Sequence, residues 1–492
     1  MVYLYRFLAF IVLCALGGKE LRAQPGSLDA SFNSATTTND LVSAVAVQPD
    51  GKVIVGGLFS TIGGATRRKI ARLLPTGAVD TSFDPGTGFS ASFLKPEVLV
   101  FQPDGKLLVG GDFTDFNGTT RNRILRLNPD GSYDTSFTTG TGFNFPVKTI
   151  VVQTDGKIVV GGEFSAYNGV RRIAIARLNA NGTLDPTFAA SSTNEINGSV
   201  YTIVPLASGK YLIGGSFICI GTCTNPSNAR RNLARLNADG TLDTSFVPAG
   251  TSFNARVHKM VLQPDGKILC VGTFDSYNGV SRRAIVRLNA DATLDNTFTV
   301  GTGSDGALYN LRLFPNGQIL VSGGFLTYNG TQRRNIALLH SNGALDPSFG
   351  DTEGLDNTIL DMAMQRNGQV MVVGTFTNFT VPPRTRVVYV ARLNGSIVMG
   401  TGSPAARSVL GVYPNPAYLT LTIRLPSAAP RINLRLSLLD ATGRTVFAQP
   451  LPAAVGSNVP VEIGQHPAGL YLLRLEGPDG FFATQPLLLR EN

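Results

Sequence analysis

Histidine, cysteine and tryptophan are scarce in this chain of 492 residues, which has three histidines, four cysteines and no tryptophan. A zinc site needs about four ligands, and no second Cys or His pair lies near the only close pair of cysteines. The histidines His258, His340 and His466 are each alone in their segments, and no Gly-x-Ser-x-Gly, phosphate-loop or metal motif occurs. The sequence therefore predicts no metal, no cofactor and no identifiable catalytic residue. Catalytic carboxylates gathered from distant segments remain an alternative.

Charged residues are also few. They form 15% of the chain against 43% hydrophobic residues, a composition typical of a globular protein. The net charge of +9 comes without lysine runs, which argues against nucleic acid as a partner. The 55 glycines and 28 prolines, with no sustained helical periodicity, predict an all-β fold of short strands and many turns.

The N-terminal segment has the pattern of an export signal. Arg6 precedes an apolar run over residues 7–16, and Ala23 is a small residue before Gln24. About ten apolar residues are too few to span a bilayer, which needs ~20. We predict a signal peptide over residues 1–23 and no transmembrane segment in the mature chain.

Two motifs recur at nearly constant spacing. The stretch QPDGKVIVGG at 48–57 returns as QPDGKLLVGG at 102–111 and QTDGKIVVGG at 153–162. Its turn glycine falls at positions 51, 105, 156, 209, 266, 317 and 368. The second motif, Leu-Asp-x-Ser/Thr-Phe with two softened copies, places aspartates at 29, 80, 134, 185, 243, 295 and 346. Seven units of about 50 residues are typical of a propeller or a solenoid.

Each unit has the pattern of four antiparallel strands joined by three tight turns. In residues 147–188 the strand-like stretches VKTIVVQ, KIVVGGEF, RRIAIARLN and TLDPTF are separated by TDG, YNG and ANG. The Asp of the first turn is interpreted as a turn residue rather than a calcium ligand, because three units have Ser or Asn there. The Leu-Asp aspartate is expected to cap its own backbone.

The seventh unit lacks the motif with which the others end. It stops at ARLN, residues 391–394, whereas LDASF follows the predicted cleavage site almost at once, at residues 28–32. We predict that this N-terminal segment adds the missing outer strand and closes a seven-bladed β-propeller, which removes exposed sheet edges. An open solenoid is the alternative, although its terminal repeats are normally modified.

The units resemble delta-60 repeats, a family assigned to the β-propellers. The resemblance rests on LDTSF, QPDGKILCVGTF and RRAIVRLNADATLD and covers residues 28–394. The absence of tryptophan weighs against WD40 propellers and against the Asp boxes of sialidases, which end in tryptophan. The family has no established activity to transfer. The propeller is predicted over residues 24–398.

The pattern changes after residue 398, where a linker is predicted over 399–406. Alternating apolar residues between Pro and Gly turns then predict a small β-sandwich. Residues 407–492 resemble the C-terminal sorting domain of the type IX secretion system. The residues that carry this resemblance are Tyr413, Pro414, Asn415, Pro416, Gly443, Arg444, Gly469 and Tyr471.

The sorting-domain resemblance implies Sec export and then handling by the type IX machinery. The protein would be secreted or held on the outer-membrane surface of a Gram-negative bacterium, and we expect a monomer. An accessory adhesive sandwich is the alternative for this segment. In an exported chain a Cys219–Cys223 disulfide is favoured over free thiols, and Cys270, in an apolar strand, is interpreted as a buried small hydrophobic residue.

Arginines follow the Asn-Gly turns and lie near one face of the predicted ring. They either pack along the blades or form a basic collar for anionic ligands. Irregular loops on a rigid scaffold often carry recognition, so we expect binding at this face, led by the loop from Cys219 to Arg231. The candidate residues are Arg67, Arg121, Arg172, Arg230, Arg231, Arg282 and Arg333, with Tyr201, His258 and Tyr309 near the central mouth.

The expected function is a secreted or cell-surface binding or scaffold module for a glycan or a protein. The alternative is an extracellular polysaccharide-acting hydrolase or lyase on a propeller scaffold.

Overall fold

The computed structural model describes residues 24–33, 36–90, 94–188, 195–221, 223, 229–248, 251–350, 354–365, 367–380, 385–395, 411–414, 417, 419–425, 434–440, 445–451, 458–476 and 482–490. The predicted signal peptide and linker lie outside these ranges. The chain divides into two compact units, Met1–Ile397 and Val398–Asn492. Within the described ranges, no helix has the length and apolarity needed to cross a membrane.

The described part of the larger unit contains seven three-stranded antiparallel sheets, numbered here 1 to 7 along the chain, each with its strands side by side in chain order. The first strands are Val42–Val47, Lys95–Phe101, Val147–Val152, Ile196–Pro205, Val257–Leu262, Ala307–Leu313 and Ile359–Met364. The second strands are Val53–Gly57, Leu107–Asp112, Ile158–Gly162, Tyr211–Ile220, Ile268–Gly272, Ile319–Gly324 and Val370–Gly374. The third strands are Ile70–Leu73, Ile124–Leu127, Ile175–Leu178, Leu233–Leu236, Ile285–Leu288, Ile336–Leu339 and Val390–Leu393.

Among the described residues, a small hairpin connects the second and third strands in six sheets, and in sheet 4 the second strand continues to Ile220. Asn168 and Gly169 show why it forms, because their φ angles of 47° and 75° match a turn with two left-handed residues. The paired strands are Thr61–Ile62 with Ala65–Thr66, Asp115–Phe116 with Thr119–Thr120, Ala166–Tyr167 with Val170–Arg171, Ser276–Tyr277 with Val280–Ser281, Thr327–Tyr328 with Thr331–Gln332, and Asn378–Phe379 with Thr385–Arg386.

The fourth strand predicted for each unit is a single β-bridge. These bridges are Leu73–Val79, Leu127–Tyr133, Leu178–Leu184, Leu236–Leu242, Leu288–Leu294 and Leu339–Leu345. The following aspartate ends the pairing because its carboxylate turns the backbone. In sheet 2, for example, Ser136 N donates to Asp134 Oδ1 at 3.0 Å. The predicted cap is therefore confirmed, and the predicted strand is not.

The N-terminal segment occupies the equivalent place beside sheet 7. Leu28 forms a bridge with Leu393, and Asp29 N donates to Arg392 O at 2.8 Å. The helix Ala30–Asn33 follows immediately, because Asp29 Oδ1 accepts from Ser31 N at 3.0 Å and turns the chain. The prediction of an outer strand over residues 28–32 was wrong, because this segment contributes a single β-bridge and a helical turn.

The aspartate of each unit organises a polar cluster at the outer edge of its sheet. In sheet 2, Asp134 is buried and its Oδ2 accepts from Arg126 Nε at 2.6 Å and from Lys106 Nζ at 2.8 Å. The Arg126 guanidinium also lies 4.6 Å from the ring centre of Phe137. Its Nη1 donates to Ala180 O of the next unit at 2.7 Å. The same cluster therefore joins neighbouring units.

This arginine–aspartate pair recurs six times. The pairs are Arg72–Asp80, Arg126–Asp134, Arg177–Asp185, Arg235–Asp243, Arg287–Asp295 and Arg392–Asp29. Sheet 6 has Leu338 in place of the arginine, and there Gln318 Nε2 donates to Asp346 Oδ2 at 2.7 Å. The interpretation that the pair is not obligatory in every unit agrees with this arrangement.

The hydrophobic core of the larger unit lies between neighbouring sheets. Seven clusters of buried side chains each combine two sheets, in the pairs 1 and 2, 2 and 3, 3 and 4, 4 and 5, 5 and 6, 6 and 7, and 7 and 1. The last of them joins Val42 and Val53 to Met371 and Val390, and it includes Phe32 from the N-terminal helix. Cys270 is buried in the cluster of sheets 4 and 5, as predicted.

The smaller unit contains two antiparallel sheets within its described residues. One orders Gly411–Tyr413, Thr420–Arg424 and Asn458–Glu462, and the other orders Thr445–Pro450, Arg435–Leu439, Gly469–Glu476 and Phe482–Leu489. Alternate residues of both sheets, such as Leu421, Ile423, Leu436 and Leu473, form one buried cluster. The alternation seen in the sequence thus corresponds to one core-facing side of each sheet.

Candidate functional site

Every first strand in the larger unit has a β-bulge at the same place in its repeat. The register against the second strand shifts around one residue, so that two residues of the first strand lie opposite one residue of its partner. We call these positions the bulge residues. They are Ser43, Glu97, Lys148, Tyr201, His258, Tyr309 and Leu360. They differ widely in size, polarity and charge.

All seven bulge residues line one central cavity of about 440 Å³, formed by first strands of all seven sheets. A bulge re-aims side chains and interrupts the strict alternation of a strand. Consecutive residues can therefore reach the same cavity, as His258 and Lys259 do. The remaining polar lining residues are Lys95, Thr149, Asn310, Arg312 and Asp361.

Three aromatic bulge residues from consecutive sheets form a row along the cavity wall. The ring centres of Tyr201 and His258 are 5.8 Å apart, and those of His258 and Tyr309 are 5.0 Å apart, both in edge-on geometry. The Arg256 guanidinium lies 4.5 Å from the ring centre of Tyr201. We call Tyr201, His258 and Tyr309 the aromatic row. The structure thus brings together the three residues predicted near the central mouth.

Ionisation in the aromatic row is shifted towards neutral forms. Burial, helped by nearby Arg256, lowers the pKa of His258 to about 4, so its ring is uncharged at neutral pH. Burial and the hydrogen bond from Tyr201 Oη to Glu163 Oε1, at 2.9 Å, raise the pKa of Tyr201 to about 12. The row therefore presents uncharged rings with polar atoms at their edges.

A carboxylate between two lysines borders the row on one side. Glu97 accepts from Lys95 Nζ at 3.2 Å and from Lys148 Nζ at 2.6 Å. Lys148 Nζ also lies 3.7 Å from Glu163 Oε1, the atom that accepts from Tyr201. These contacts link sheets 2, 3 and 4 through one chain of charged and phenolic groups.

A second charged cluster borders the other end of the row. Asp361 Oδ2 accepts from Val45 N at 3.0 Å, across from sheet 7 to sheet 1. Arg312 Nη2 donates to Met362 O at 2.7 Å and lies 4.0 Å from Asp361 Oδ1. Within the described part of the chain, the Lys259 ammonium has neither a hydrogen-bond nor an ion-pair partner.

Burial is the largest cause of the pKa shifts in this second charged cluster. Burial and the neighbouring Arg312 lower the pKa of Lys259 to about 8, against the attraction of Asp361. Burial raises the pKa of Asp361 above its ordinary value, although Arg312 and Lys259 act in the opposite direction. Such perturbed groups converging in a cavity are typical of functional sites.

The arginines that follow the Asn-Gly turns do not belong to this cavity's described lining. In six of them Nη1 donates to the carbonyl of the preceding residue, and these are Arg67, Arg121, Arg172, Arg230, Arg282 and Arg333. Arg230 and Arg333 are buried, and Arg121 packs on Tyr133, with 4.5 Å between its guanidinium and the ring centre. Arg231 is exposed. These contacts favour the packing interpretation of the six arginines.

The irregular loop of sheet 4 is described only at its two ends. A disulfide joins Cys219 to Cys223, and Cys219 forms a β-bridge with Ala229. Residues 222 and 224–228 lie outside the described residues, so the recognition role predicted for this loop remains a prediction. No group of three or more His, Cys, Asp or Glu side chains suited to a metal occurs in the ranges that the structure describes.

The residues of the predicted sorting motif are described in part. Tyr413 is exposed at the end of the strand Gly411–Tyr413, and Pro414 follows it. Gly469 begins a strand, and Tyr471 is buried with its Oη donating to Pro467 O at 2.9 Å. Asn415, Pro416, Gly443 and Arg444 lie outside the described residues.

The sequence interpretation missed the charged residues of the central cavity. Glu97, Lys148, Lys259, Arg312 and Asp361 were not among its candidates, although a signal was present. Eight residues before each turn glycine, the seven units place side chains of six different types, whereas the position just before it is apolar in every unit. A repeat position that varies beside a uniform one indicates a role outside the scaffold.

Two family models match the chain. One, described as a domain of unknown function (DUF5122) beta-propeller, matches residues 48–83, 102–137, 153–188, 206–246, 263–298 and 315–349. The other, described as a secretion system C-terminal sorting domain, matches residues 411–486. No curated protein matches the chain.

Two solved structures with detectable likeness to the chain have low TM-scores. The extracellular domain of a protein described as a one-component system from B. thetaiotaomicron is 10% identical, with 96% of this chain and 59% of that chain covered and a TM-score of 0.43. A protein described as exported, from Bacteroides fragilis, is 10% identical, with coverages of 70% and 86% and a TM-score of 0.29. Because both scores are below 0.5, neither likeness assigns a fold or a function.

The family models agree with both resemblances found in the sequence. A C-terminal sorting domain of this kind marks a protein for export to the cell surface or the surroundings, through the type IX machinery. The chain therefore consists of a DUF5122 β-propeller repeat domain followed by a type IX secretion C-terminal sorting domain.

Proposed function

We propose that the protein is a secreted or surface-displayed binding module whose ligand is a glycan held in the central cavity of a closed seven-bladed propeller. The observation that carries the proposal is the ring of bulge residues. Seven copies of one scaffold position have diverged into seven cavity-lining side chains of mixed chemistry. A position with only a structural role would be expected to keep one kind of residue in all the units.

Closure of the ring is part of the proposal. Its support is the shared core of sheets 7 and 1, the bridge from Leu28 to Leu393, and the hydrogen bond from Arg392 Nη1 to Pro75 O at 2.6 Å. The equivalent arginine of sheet 1 reaches sheet 2 in the same way, from Arg72 Nη1 to Pro129 O at 2.6 Å. The junction of sheets 7 and 1 thus repeats the other junctions. In the smaller unit, the core shared by two sheets supports a β-sandwich.

A glycan is favoured over a protein segment by the chemistry of the cavity. The aromatic row supplies flat apolar surface, and charged or amide side chains stand around it. Small-ligand sites combine apolar walls with a few placed polar groups and enclose roughly 300–1,000 Å³, a range that includes this cavity. The arginines after the Asn-Gly turns and the loop of sheet 4 remain candidates for an outer contact.

An extracellular polysaccharide hydrolase or lyase is the second candidate. The observation that favours it is that Lys259, whose pKa is lowered to about 8, and Asp361, whose pKa is raised, line the same cavity. An acid with a raised pKa and a base with a lowered pKa in one cavity are typical of general acid–base catalysis.

The test is a glycan and polysaccharide panel scored for both retention and product release. Tyr309→Ala and His258→Ala should abolish retention of the ligand that the unmodified chain retains, because they remove the aromatic row. Arg282→Met serves as the control outside the cavity and should retain it. Retention that survives both cavity variants would reject this location, and loss in Arg282→Met would support the outer face. Product release would favour the enzyme.

A further inference from the structure

The charge of the central cavity indicates which glycans it accepts. We infer that the ligand is an acidic carbohydrate whose carboxylate or sulfate binds between Lys259 and Arg312, while its sugar ring lies against the aromatic row. This inference rests on the proposed function, because it assigns a ligand class to the same cavity. It makes the second charged cluster, rather than the arginines after the Asn-Gly turns, the anion-recognition element.

The lining of the cavity has more cations than anions. Its cations are Lys95, Lys148, Lys259 and Arg312, and its carboxylates are Glu97 and Asp361, which leaves a surplus of two positive charges. Glu97 already accepts from both Lys95 and Lys148. Lys148 Nζ also lies 3.7 Å from Glu163 Oε1, so two carboxylates balance the two lysines at this end of the cavity. Lys259 and Arg312 share the single carboxylate of Asp361, which leaves one uncompensated positive charge in the second charged cluster.

Lys259 is the cation best placed to receive an anion. Its ammonium has no partner among the side chains and backbone atoms that the structure describes. Lys259 is only partly exposed, and an ionised group with reduced access to water and no counter-ion is unfavourable. A carboxylate or sulfate would supply charge-assisted hydrogen bonds there. Asp361 does not fill this role, because no hydrogen bond or ion pair joins it to Lys259 among the described residues. Its oxygens accept from Val45 N at 3.0 Å and Met362 N at 2.9 Å.

Arg312 can complete the anion site. Its Nη2 is already fixed by Met362 O, and its closest approach to Asp361 Oδ1 is 4.0 Å, at the outer limit for an ion pair. A guanidinium positioned by the backbone in this way presents its remaining N–H groups without further ordering. Lys259 and Arg312 belong to adjacent sheets 5 and 6, whose first strands also carry the aromatic residues His258 and Tyr309.

The aromatic row explains why the anion would be carried by a sugar. Its rings meet edge-on at 66° and 81°, and their neutral faces offer apolar surface beside the cationic pair. A sugar ring has apolar C–H faces and hydroxyl groups at its rim, which need both donors and acceptors. Asn310, Glu97 and Asp361 provide acceptors, and the cations provide donors.

The experiment titrates the full chain with trigalacturonate, with a sulfated galactose trisaccharide and with neutral galactotriose, using calorimetry. We expect at least one acidic trisaccharide to bind at least about tenfold more tightly than galactotriose. Lys259→Met should remove this preference without lowering the melting temperature, because it deletes an unpartnered cation. Arg283→Met, which removes an exposed charge outside the cavity, should leave the preference unchanged.

A second readout uses pH. Because the pKa of Lys259 is lowered to about 8, binding of an acidic trisaccharide should weaken as pH rises from 7 to 9. His258 is neutral throughout this range because its pKa is lowered to about 4. Asp361, whose pKa is raised, acts in the same direction as Lys259, because its ionisation as pH rises also repels an anion. In Lys259→Met the dependence should be much weaker, because only Asp361 is left to change its charge.

The outcomes separate the two proposals. If galactotriose binds as tightly as the acidic trisaccharides and Tyr309→Ala abolishes both, the cavity binds glycans but the charge selection is wrong. If acidic trisaccharides bind Lys259→Met and Tyr309→Ala as tightly as they bind the unmodified chain, the cavity location itself is rejected. If none of the three binds, while another glycan of the panel binds through the aromatic row, the acidic class is rejected alone.

Discussion

At the scale of single residues, two sets of aspartates have different physical roles. Asp104 of the first turn is exposed and its Oδ1 accepts from Lys106 N at 3.1 Å, a role that asparagine fills in other units. Asp134 of the Leu-Asp motif is buried and accepts from Arg126, Lys106 and Ser136. The carboxylate charge therefore matters only in the second set.

Replacing these two aspartates by asparagine should change the free energy of unfolding by very different amounts. Asp134→Asn leaves Arg126 buried without its counter-charge, and breaking such a pair costs about 3–5 kcal/mol. Asp104→Asn should change the free energy of unfolding by less than about 0.5 kcal/mol. Urea denaturation of the two variants measures both values. Equal destabilisation would contradict the assignment of the charge to the Leu-Asp motif.

The same aspartates predict the acid limit of stability. Burial opposes ionisation of Asp80, Asp134, Asp185, Asp243 and Asp295, but hydrogen bonds from Ser or Thr, Lys and Arg outweigh it and hold each pKa below the ordinary value. Their contribution is present above the unfolded pKa of about 3.9. It is lost as pH falls through the lower folded values.

We therefore expect the melting temperature to change little from pH 7 to 5 and to fall steeply below pH 4. Asp361 acts in the opposite direction because its pKa is raised, but it is a single group. Differential scanning calorimetry from pH 7 to 2 measures the curve, and Asp134→Asn should reduce its slope. A melting temperature that is constant down to pH 2 would contradict the prediction.

At the scale of elements, the turns were predictable and the bulges were not. Asn-Gly and Asp-Gly favour the backbone conformation of a tight turn, so the hairpins can be predicted from local sequence. A bulge depends on pairing with a second strand, and residues such as Val257, His258 and Lys259 carry no local mark of it. Arg312 and Asp361 reach the cavity through this pairing, which is why the sequence interpretation missed them.

Substitutions of two neighbouring residues in one bulged strand should have different effects, one on the stability of the fold and the other on ligand binding. Leu308 is fully buried, and Leu308→Ala should cost about 2–5 kcal/mol. Tyr309 is half-buried at the cavity and touches His258, so Tyr309→Ala should cost only about 1 kcal/mol. Denaturant titration gives both values, and ligand retention below the melting temperature should be lost only in Tyr309→Ala. Loss of retention in folded Leu308→Ala alone would contradict the assignment.

At the scale of the whole molecule, the sorting domain predicts a location. A chain that lacks residues 407–492 should accumulate in the periplasm, because the type IX machinery no longer has its signal. Fractionation of cells that express the two forms measures the distribution. Fusing these residues to an unrelated periplasmic protein is the matched control and should carry that protein out of the cell. Finding the truncated chain on the surface would contradict the role of the segment.

The proposed ring closure predicts that a short N-terminal segment stabilises the whole larger unit. Phe32 is fully buried in the core of sheets 7 and 1, and Asp29 Oδ2 accepts from Arg392 Nε at 2.8 Å and from Gln369 Nε2 at 2.7 Å. Deleting residues 24–33 removes this side chain from the core and leaves Arg392 without its carboxylate. We expect the free energy of unfolding to fall by roughly 5 kcal/mol, from the lost apolar burial and the broken ion pair.

The matched control returns the same ten residues at the C-terminal end of the larger unit. A permuted chain with residues 24–33 joined by a short glycine linker after residue 395 places them beside the strand Val390–Leu393, where Leu28 already forms its bridge. The permuted chain should regain most of the lost stability, because only the connection has changed, whereas a scrambled segment should not. Urea denaturation of the three chains measures this difference. An unchanged midpoint after the deletion, or equal rescue by the scrambled segment, would show that the N-terminus does not close the ring.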